Sequence, residues 1–353
     1  MSTAGIATKF WESVHCASPA GGEIVAVASR DAARAQAWAD ERFADMPLAS
    51  GKPDALGSYA ELLAREDVDA IYIALPTTMR QEWLLKAFAA GKHVLGEKPT
   101  GPTAADMAAV AAAAKASGRL FMDGTMFMHS ARLDAVRGEL DGGAIGDVKR
   151  IVNHFSFGLT NEADIRINGE LEPLGVVGDL GWYCVRFALW VMDFGVPTAV
   201  RGMTRVERGG VPADFDGSLV FANPTGGDPI TATFSCSFNA SFDMTCAIVG
   251  TKGTIRLDDF VLPYEDVAFD VSNPVTTGRT SKARGTRRVV VDEAGNEAAS
   301  SQASKMLVRF SDLVAAGDAA AFEPWAAKAL ATQRVLDALM ASAKDGGKEV
   351  AVA

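Results

Sequence analysis

The chain has 353 residues, 48% of them hydrophobic, which is enough for two globular domains with sizeable cores. Its 34 Lys and Arg against 44 Asp and Glu give a net charge of -10, so the chain as a whole repels nucleic acid and anionic membranes, and any anionic ligand needs local cations. No run of about 18 apolar residues occurs and the start lacks the basic and apolar parts of a secretory signal, so a cytoplasmic protein is expected.

In chain order, residues 1 to about 125 alternate short apolar runs with helical patterns. Strands are expected at Glu23 to Ser29, Val68 to Leu75, Lys92 to Gly96 and Leu120 to Asp123, with helices at Ala32 to Asp40, Gln81 to Ala90 and Ala104 to Ser117. This alternation implies a parallel sheet covered on both faces. After Arg150 the pattern becomes period two, at Lys149 to Phe157, Leu219 to Phe221, Ile230 to Phe238, Thr245 to Val249 and Gly253 to Leu257, with one helix at Asp179 to Val191. An open, mostly antiparallel sheet follows from it. Residues 272 to 304 read as a long hairpin or mobile loop in which Lys282, Arg287 and Arg288 are solvated. Helices return at Lys305 to Ala316 and at Pro324 to Lys344, the second opening on a first-turn proline. The fold class is therefore α/β in two domains, 1–125 and 126–353, with helix 324–344 packing back on the first.

The start of the chain is unusual for such a sheet. A helix beginning near Ile6 directs its first N–H groups at whatever precedes it, a place for a pyrophosphate, with Thr3, Ala4 and Ile6 as candidate contacts. Ser2, Ala4 and Ala7 fall where a dinucleotide-binding fingerprint places small residues, but Ser2 stands at the glycine of the tight turn and no apolar strand precedes it. The first, central strand is expected to be missing, and a late start or a truncated chain is the simplest account. The strand 23–29 ends in Ser29 and Arg30, with no acid placed for a ribose 2′-hydroxyl, so a 2′-phosphate and hence NADP is favoured over NAD; the plain alternative is a solvated Arg30 and a capping Asp31. Pro76 and Thr77 end another strand and fall on the crevice side, or equally form only a helix-starting turn.

The chemistry rests on Glu97 and Lys98, in Gly96-Glu97-Lys98-Pro99 after a strand, and on Asp179 and Tyr183, which are four apart and share a helix face. A hydride leaving a carbinol carbon requires its hydroxyl proton to pass to a base, and a tyrosine with a pKa of about 10 needs a neighbouring cation to serve. Lys98 can supply that cation, and Asp179 can anchor substrate hydroxyls or orient the lysine; as a helix cap Asp179 would need no other role.

Gly-Glu-Lys-Pro after such a strand, and Gly178-Asp179-Leu180-Gly181-Trp182-Tyr183, resemble the Gfo/Idh/MocA oxidoreductases over nearly the whole chain. Leu75 to Thr78, Met122 to Met126 and Gly250 to Thr254 are most similar to the branch containing dihydrodiol dehydrogenase and NADP-dependent D-xylose 1-dehydrogenase. The resemblance implies a Rossmann domain, NADP as cofactor, Lys98 with Tyr183 as catalytic pair, a sugar or cyclic diol substrate, and a homodimer formed through the open sheet face. The chain departs from the pattern at Ser2 and at Arg80, where relatives often carry histidine, and Met126 to His129 leaves the substrate open. Met126, His129, Phe157 and Arg166 are candidate substrate contacts; a core role for Phe155 and Phe157 and a solvated Arg166 are the plain alternatives. A non-catalytic dinucleotide-binding or regulatory protein of the same fold is the rival reading.

Cys16, Cys184, Cys236 and Cys246 read as buried thiols, the six tryptophans as packing residues with Trp182 beside the candidate site, and the scattered histidines 15, 93, 129 and 154 predict no metal.

Overall fold

The computed structural model describes residues 1–224, 226–263, 267–277, 281–292 and 298–352, with side chains omitted at 274–277, 281–284 and 298–301. The chain divides into two compact units, Met1–His129 with Ser300–Leu330, and Ser130–Ala299 with Ala331–Ala353. Residues 300–330 therefore return to the first unit, and the second boundary falls inside the last helix.

In unit 1, helix α1 (Gly5–Ala17) precedes strand β1 (Ala26–Ala28), α2 (Ala32–Asp45), β2 (Asp54–Leu56), α3 (Tyr59–Ala64), β3 (Ala70–Ile73), α4 (Thr77–Ala89), β4 (His93–Gly96), α5 (Ala104–Ser117) and β5 (Phe121–Asp123). All pairings here are parallel, in two groups, β1 with β2 and β3 with β4 and β5. Helix starts follow the side-chain chemistry: Asp31 accepts from Ala33 N–H, Ser58 from Glu61 N–H, and Thr103 with Asp106 forms a reciprocal capping box. The core gathers Trp11 and Val14 of α1, Val27, Leu95 and Met122 of the strands, and Leu307 and Phe310 from the returning segment.

Met1 and Ser2 lie extended between the two groups of strands, which is where the central strand was expected to be missing: Ser2 N–H donates to Ala28 O at 3.0 Å and Ala74 N–H to Met1 O at 3.3 Å. Ser2 adopts φ +121°, a conformation that favours glycine, at the position where a tight turn calls for one. Ser2→Gly is expected to raise the unfolding free energy by about 1 kcal/mol, strain of order 1–3 kcal/mol being partly offset by loss of the Ser2 Oγ that accepts from Ala4 N–H. Urea melts of the two proteins check it, and an unchanged or lower midpoint contradicts it.

Unit 2 is built on an eight-stranded sheet. After α6 (Ala131–Asp141) come β6 (Val148–Ser156), α7 (Trp182–Val191), β7 (Ala199–Arg208), β8 (Val211–Phe221), β9 (Ile230–Ser237), β10 (Cys246–Gly250), β11 (Thr254–Leu257), β12 (Ala268–Thr277) and β13 (Ser281–Val290). The order is β13-β12-β11-β10-β6-β9-β8-β7, antiparallel except for β6 against β9. Period-two burial turns Phe215, Leu219 and Phe221 of β8 and Ile230, Ala232 and Phe234 of β9 to the covered face. On the opposite face Val152 and Met203 are exposed. Arg132 is buried at the edge of α6 and paired with Asp259, with Arg132 Nη2 donating to the Asp259 carbonyl at 2.8 Å. Two helices close the chain, α8 (Ala298–Ala316) and α9 (Ala319–Lys344).

Several expectations need correction. Of the two readings of 272–304 the hairpin holds, as β12 paired antiparallel with β13, while the end of the segment belongs to α8; Arg287 and Arg288 are exposed as expected and also pair with Glu139 at 2.7 Å and Asp270 at 3.7 Å, and the Lys282 side chain lies outside the described residues. Pro324 lies inside α9, which starts five residues earlier at Ala319. Cys16 is exposed, and the other three thiols are buried, which pushes their pKa values up. The helix expected from Asp179 starts at Trp182, after a π-helical turn over Val177–Gly181. Elements β2, α3, α6 and β7 had no expectation: they are short, or carry charged residues through their apolar pattern.

Candidate active site

Unit 1 contributes the dinucleotide half. Helix α1 starts at Gly5 after Ala4, which offers no side-chain cap, so its first N–H groups take no bond from a capping side chain and suit an anion such as a pyrophosphate. Thr3 and Ala4 are half-buried there, and Ile6 is exposed. Ser29 is buried at the end of β1, and Arg30 is exposed just beyond it. The Asp31 carboxylate is engaged by Ala33 N–H at 2.9 Å, so the capping account of Asp31 holds and this acid is taken by the helix. Sequence reasoning missed two residues beside Arg30. Burial raises the Tyr59 hydroxyl, while Arg30 and Arg34 act on it in the opposite sense, so both guanidinium charges lie near one hydroxyl. Together they suit a phosphate monoester.

The other strand ends are held by a buried arginine. Arg80 donates from Nε to Leu75 O at 2.6 Å and from Nη1 to Thr77 Oγ1 at 3.0 Å and Pro99 O at 2.5 Å, tying the Pro76-Thr77 loop to the Lys98-Pro99 segment. The departure at position 80 is thus a structural clamp. Glu97 follows β4 and accepts from the Tyr72 hydroxyl at 2.6 Å, and its other oxygen accepts from Lys98 N–H at 3.3 Å. Tyr72 in turn stacks on Phe10 at 3.9 Å between centroids. Lys98 is 9% exposed, at the carboxyl end of a parallel strand where ligands bind such sheets. Asp123, buried opposite Gly96 in register, accepts from the Thr125 hydroxyl. A β-carbon on Gly124 would lie 3.1 Å from the Glu97 carboxylate, so this strand end fits closely around Glu97. Met126 packs against the core, and His129 stacks on Trp325 at 5.1 Å.

Unit 2 carries Asp179 and Tyr183. Gly175 leads into the π turn with φ +51°, and a β-carbon there would lie 2.3 Å from Pro212 O, so only glycine lets the segment pass over β8. Asp179 lies in that turn and Tyr183 in the first turn of α7; neither is a cap. Tyr183 is 7% exposed, its ring 5.8 Å from Phe155 in an edge-to-face contact, so Phe155 both fills the core and walls the tyrosine. Arg166 is partly exposed but paired: Nε donates to Asp179 Oδ2 at 2.8 Å and Nη1 approaches Asp164 at 3.3 Å, and these carboxylates hold the guanidinium charged. Phe157 lies 5.9 Å below that guanidinium. Trp182 is fully buried against Arg186, which donates to Thr332 Oγ1 at 2.6 Å and anchors α7.

Among the described residues no group of three or more His, Cys, Asp or Glu could hold a metal ion, and no helix is long and apolar enough to cross a membrane.

Residues 3–125 match the oxidoreductase family with the NAD-binding Rossmann fold, GFO_IDH_MocA, and residues 133–256 match the GFO/IDH/MocA C-terminal domain. A dTDP-3,4-didehydro-2,6-dideoxy-alpha-D-glucose 3-reductase from Saccharopolyspora spinosa is 34% identical over 241 residues, 68% of either chain. The trans-1,2-dihydrobenzene-1,2-diol dehydrogenase of Mus musculus is 31% identical, over 69% of this chain and 68% of its own. A D-xylose 1-dehydrogenase (NADP(+)) of Haloferax volcanii is 35% identical, over 63% and 64%. Levoglucosan dehydrogenase, solved with NADH and levoglucosan, superposes with a TM-score of 0.83 at 17% identity over 99% of this chain and 97% of its own. A 3-ketoreductase from Actinomadura kijaniata, solved with NADP and TDP-benzene, gives 0.77 at 24%, over 97% and 95%. These two likenesses speak to the fold.

Proposed function

The chain belongs to the Gfo/Idh/MocA family of oxidoreductases, and from that premise we propose that it is an NADP-dependent dehydrogenase acting on a hydroxyl of a D-xylose-like sugar or a cyclic trans-diol. The observation that carries this reading is the buried Lys98 at the carboxyl end of β4, beside a Glu97 held by Tyr72. In this proposal Lys98 and Tyr183 take the roles of the catalytic pair that the family resemblance implies.

In the oxidising direction Tyr183 takes the proton of the substrate hydroxyl while the Lys98 ammonium favours the phenolate and holds the same oxygen. A nicotinamide dinucleotide, which the start of α1 with Arg30 and Arg34 would hold, would supply the hydride acceptor that turns the carbinol into a carbonyl. Asp179, paired with Arg166, accepts hydrogen bonds from neighbouring substrate hydroxyls and so fixes the substrate's orientation. With its charge shared between Asp164 and Asp179, Arg166 positions an acid rather than binding one. The exposed sheet face carrying Val152 and Met203 supports a homodimer in which that face is covered.

Turnover of D-xylose, D-glucose and a trans-dihydrodiol with NADP+ and NAD+ tests the reading. The expected result is NADP+-preferring reduction of the nicotinamide with at least one of them; no turnover with any at saturating cofactor sinks it. The cofactor preference has its own check. Arg30→Ala with Arg34→Ala is expected to weaken NADPH by about 10- to 100-fold, from the loss of charge-assisted bonds worth ~1.5–3 kcal/mol, and to leave NADH within about twofold. Equal weakening of both dinucleotides, read by titration of the nicotinamide fluorescence, removes the 2′-phosphate role.

A further inference from the structure

In unit 2, β9 and β10 lie on either side of β6, so the connection between them passes around the end of β6. That connection is tied down on both sides. Phe157 N–H donates to Ser237 O at 3.0 Å and Leu159 N–H to Phe238 O at 2.8 Å. Across from them Ser156 N–H donates to Asp243 O at 2.8 Å, Asp243 N–H to Ser156 O at 3.1 Å, and the Ser156 hydroxyl to Ser241 O at 2.6 Å.

Ser156 and Asp243 are opposed in antiparallel register, so on the other face of β6 the side chains of Phe155 and Phe157 have those of Met244 and Phe242 beside them. The ring contacts agree. Phe242 meets Phe155 edge-to-face at 6.5 Å between centroids, and Phe155 in turn meets Tyr183. Along this row Phe155 and Met244 are buried. Phe157 is engaged by the Arg166 guanidinium at 5.9 Å and by Phe238 at 5.2 Å. Phe242 differs from all three: it is 50% exposed on a backbone fixed by hydrogen bonds.

The polar groups on the same side complete the pattern. Tyr183 brings a hydroxyl next to Phe155, and Asp179 brings a carboxylate held by Arg166, whose guanidinium lies over Phe157. An aromatic ring carries negative charge on its face and attracts C–H hydrogens, whereas a carboxylate and a phenol pair with hydroxyls. A molecule matching both has one face of C–H bonds and hydroxyls along its edge, as a six-membered ring does. An open-chain polyol has no such face.

We propose that Phe242 is a specificity-determining residue of the substrate site, its ring being the platform for the C–H face of a six-membered substrate ring whose hydroxyls reach Asp179 and Tyr183. This rests on the oxidoreductase reading and narrows it to ring substrates. Phe157 then holds Arg166 in place, and the open ring of Phe242 is what the substrate covers.

The test measures turnover of trans-cyclohexane-1,2-diol and of open-chain butane-2,3-diol by the wild type and by Phe242→Ala, Phe242→Leu and Phe242→Tyr. The wild type is expected to favour the ring diol by at least about tenfold in kcat/KM. Phe242→Ala and Phe242→Leu are expected to raise KM for the ring diol by about tenfold or more with kcat within about threefold, to leave the open-chain diol within about twofold, and Phe242→Tyr to stay near wild type. An unchanged KM for the ring diol in Phe242→Ala overturns the proposal. So does an equal loss on both diols, or rescue by Leu as full as by Tyr, since either reduces Phe242 to apolar packing. No turnover of either diol, or of the sugars, by any form counts against the oxidoreductase reading itself, and saturation-transfer NMR with the ring diol then decides the platform separately. Transfer to the ring C–H protons from the wild type and not from Phe242→Ala upholds it; equal transfer, or none, overturns it.

Discussion

Lys98→Met and Tyr183→Phe are each expected to lower kcat by about 10²- to 10⁴-fold, a barrier increase of ~3–5 kcal/mol, while NADPH affinity changes by no more than about threefold. The physical ground is the proton: without the phenol there is no group to take it, and without the ammonium the phenol stays protonated near neutrality. Both substitutions keep the packing. Met retains most of the lysine stem in its buried position, and Phe retains the ring that meets Phe155 edge-on. The split between kcat and cofactor binding is informative, since a merely structural role would move both. Wild-type turnover in either variant, measured with the substrate found to react, refutes the assignment. If Tyr183 alone proves dispensable, the proton acceptor must be sought elsewhere and Lys98 reduced to holding the oxygen.

The second large effect is on stability against pH. The Met1 amino group is fully buried in the folded chain and its pKa falls from 8.0 to about 5 because burial penalises the charged form. Between pH 5 and 8 the unfolded chain therefore binds a proton at this site that the folded chain does not. Unfolding free energy must rise with pH across that window, and the contribution is lost as pH falls toward 5. A shift of about three units corresponds to ~4 kcal/mol at most. Urea melts of the chain with Met1 retained, from pH 5 to pH 8, are expected to show this rise, and N-terminal acetylation is expected to flatten it. Parallel pH profiles for the free and acetylated forms would show that the amine does not titrate in this window.

How much of this was legible in the sequence depends on the range of the interaction. Helix α5 begins and ends where the pattern placed it, because Thr103, Asp106 and Gly118 mark its ends locally. The buried strands β3 and β4 were clear from apolar runs, and β9 with the last three residues of β8 from alternation of period two, since each face is buried or exposed as a whole. Lys98 could be singled out because a lysine after an apolar strand is conspicuous in one dimension.

The remainder depends on contacts between distant residues. Asp179 and Tyr183 were chosen by spacing, but the π turn that carries Asp179 and leads into α7 follows the close passage of Gly175 over Pro212, which local sequence does not show. Arg166 looked like a solvated cation or an anion receptor until Asp164 and Asp179 closed on it. Arg34 and Tyr59 lie on different helices, and only the fold sets them beside Arg30. Arg80 was visible as an odd residue, and its role needed the three oxygens of Leu75, Thr77 and Pro99 in one place.

By itself, then, the sequence determined the class of fold, the parallel and antiparallel halves and the residue types available for proton transfer. Those are consequences of local periodicity and backbone propensity, which each segment carries with it. Tertiary structure alone decided which charges are already neutralised, which residue clamps the strand ends, and that Met1 and Ser2 lie between β1 and β3. Each of these is a distance between segments far apart in the chain, set by the packing of the whole unit.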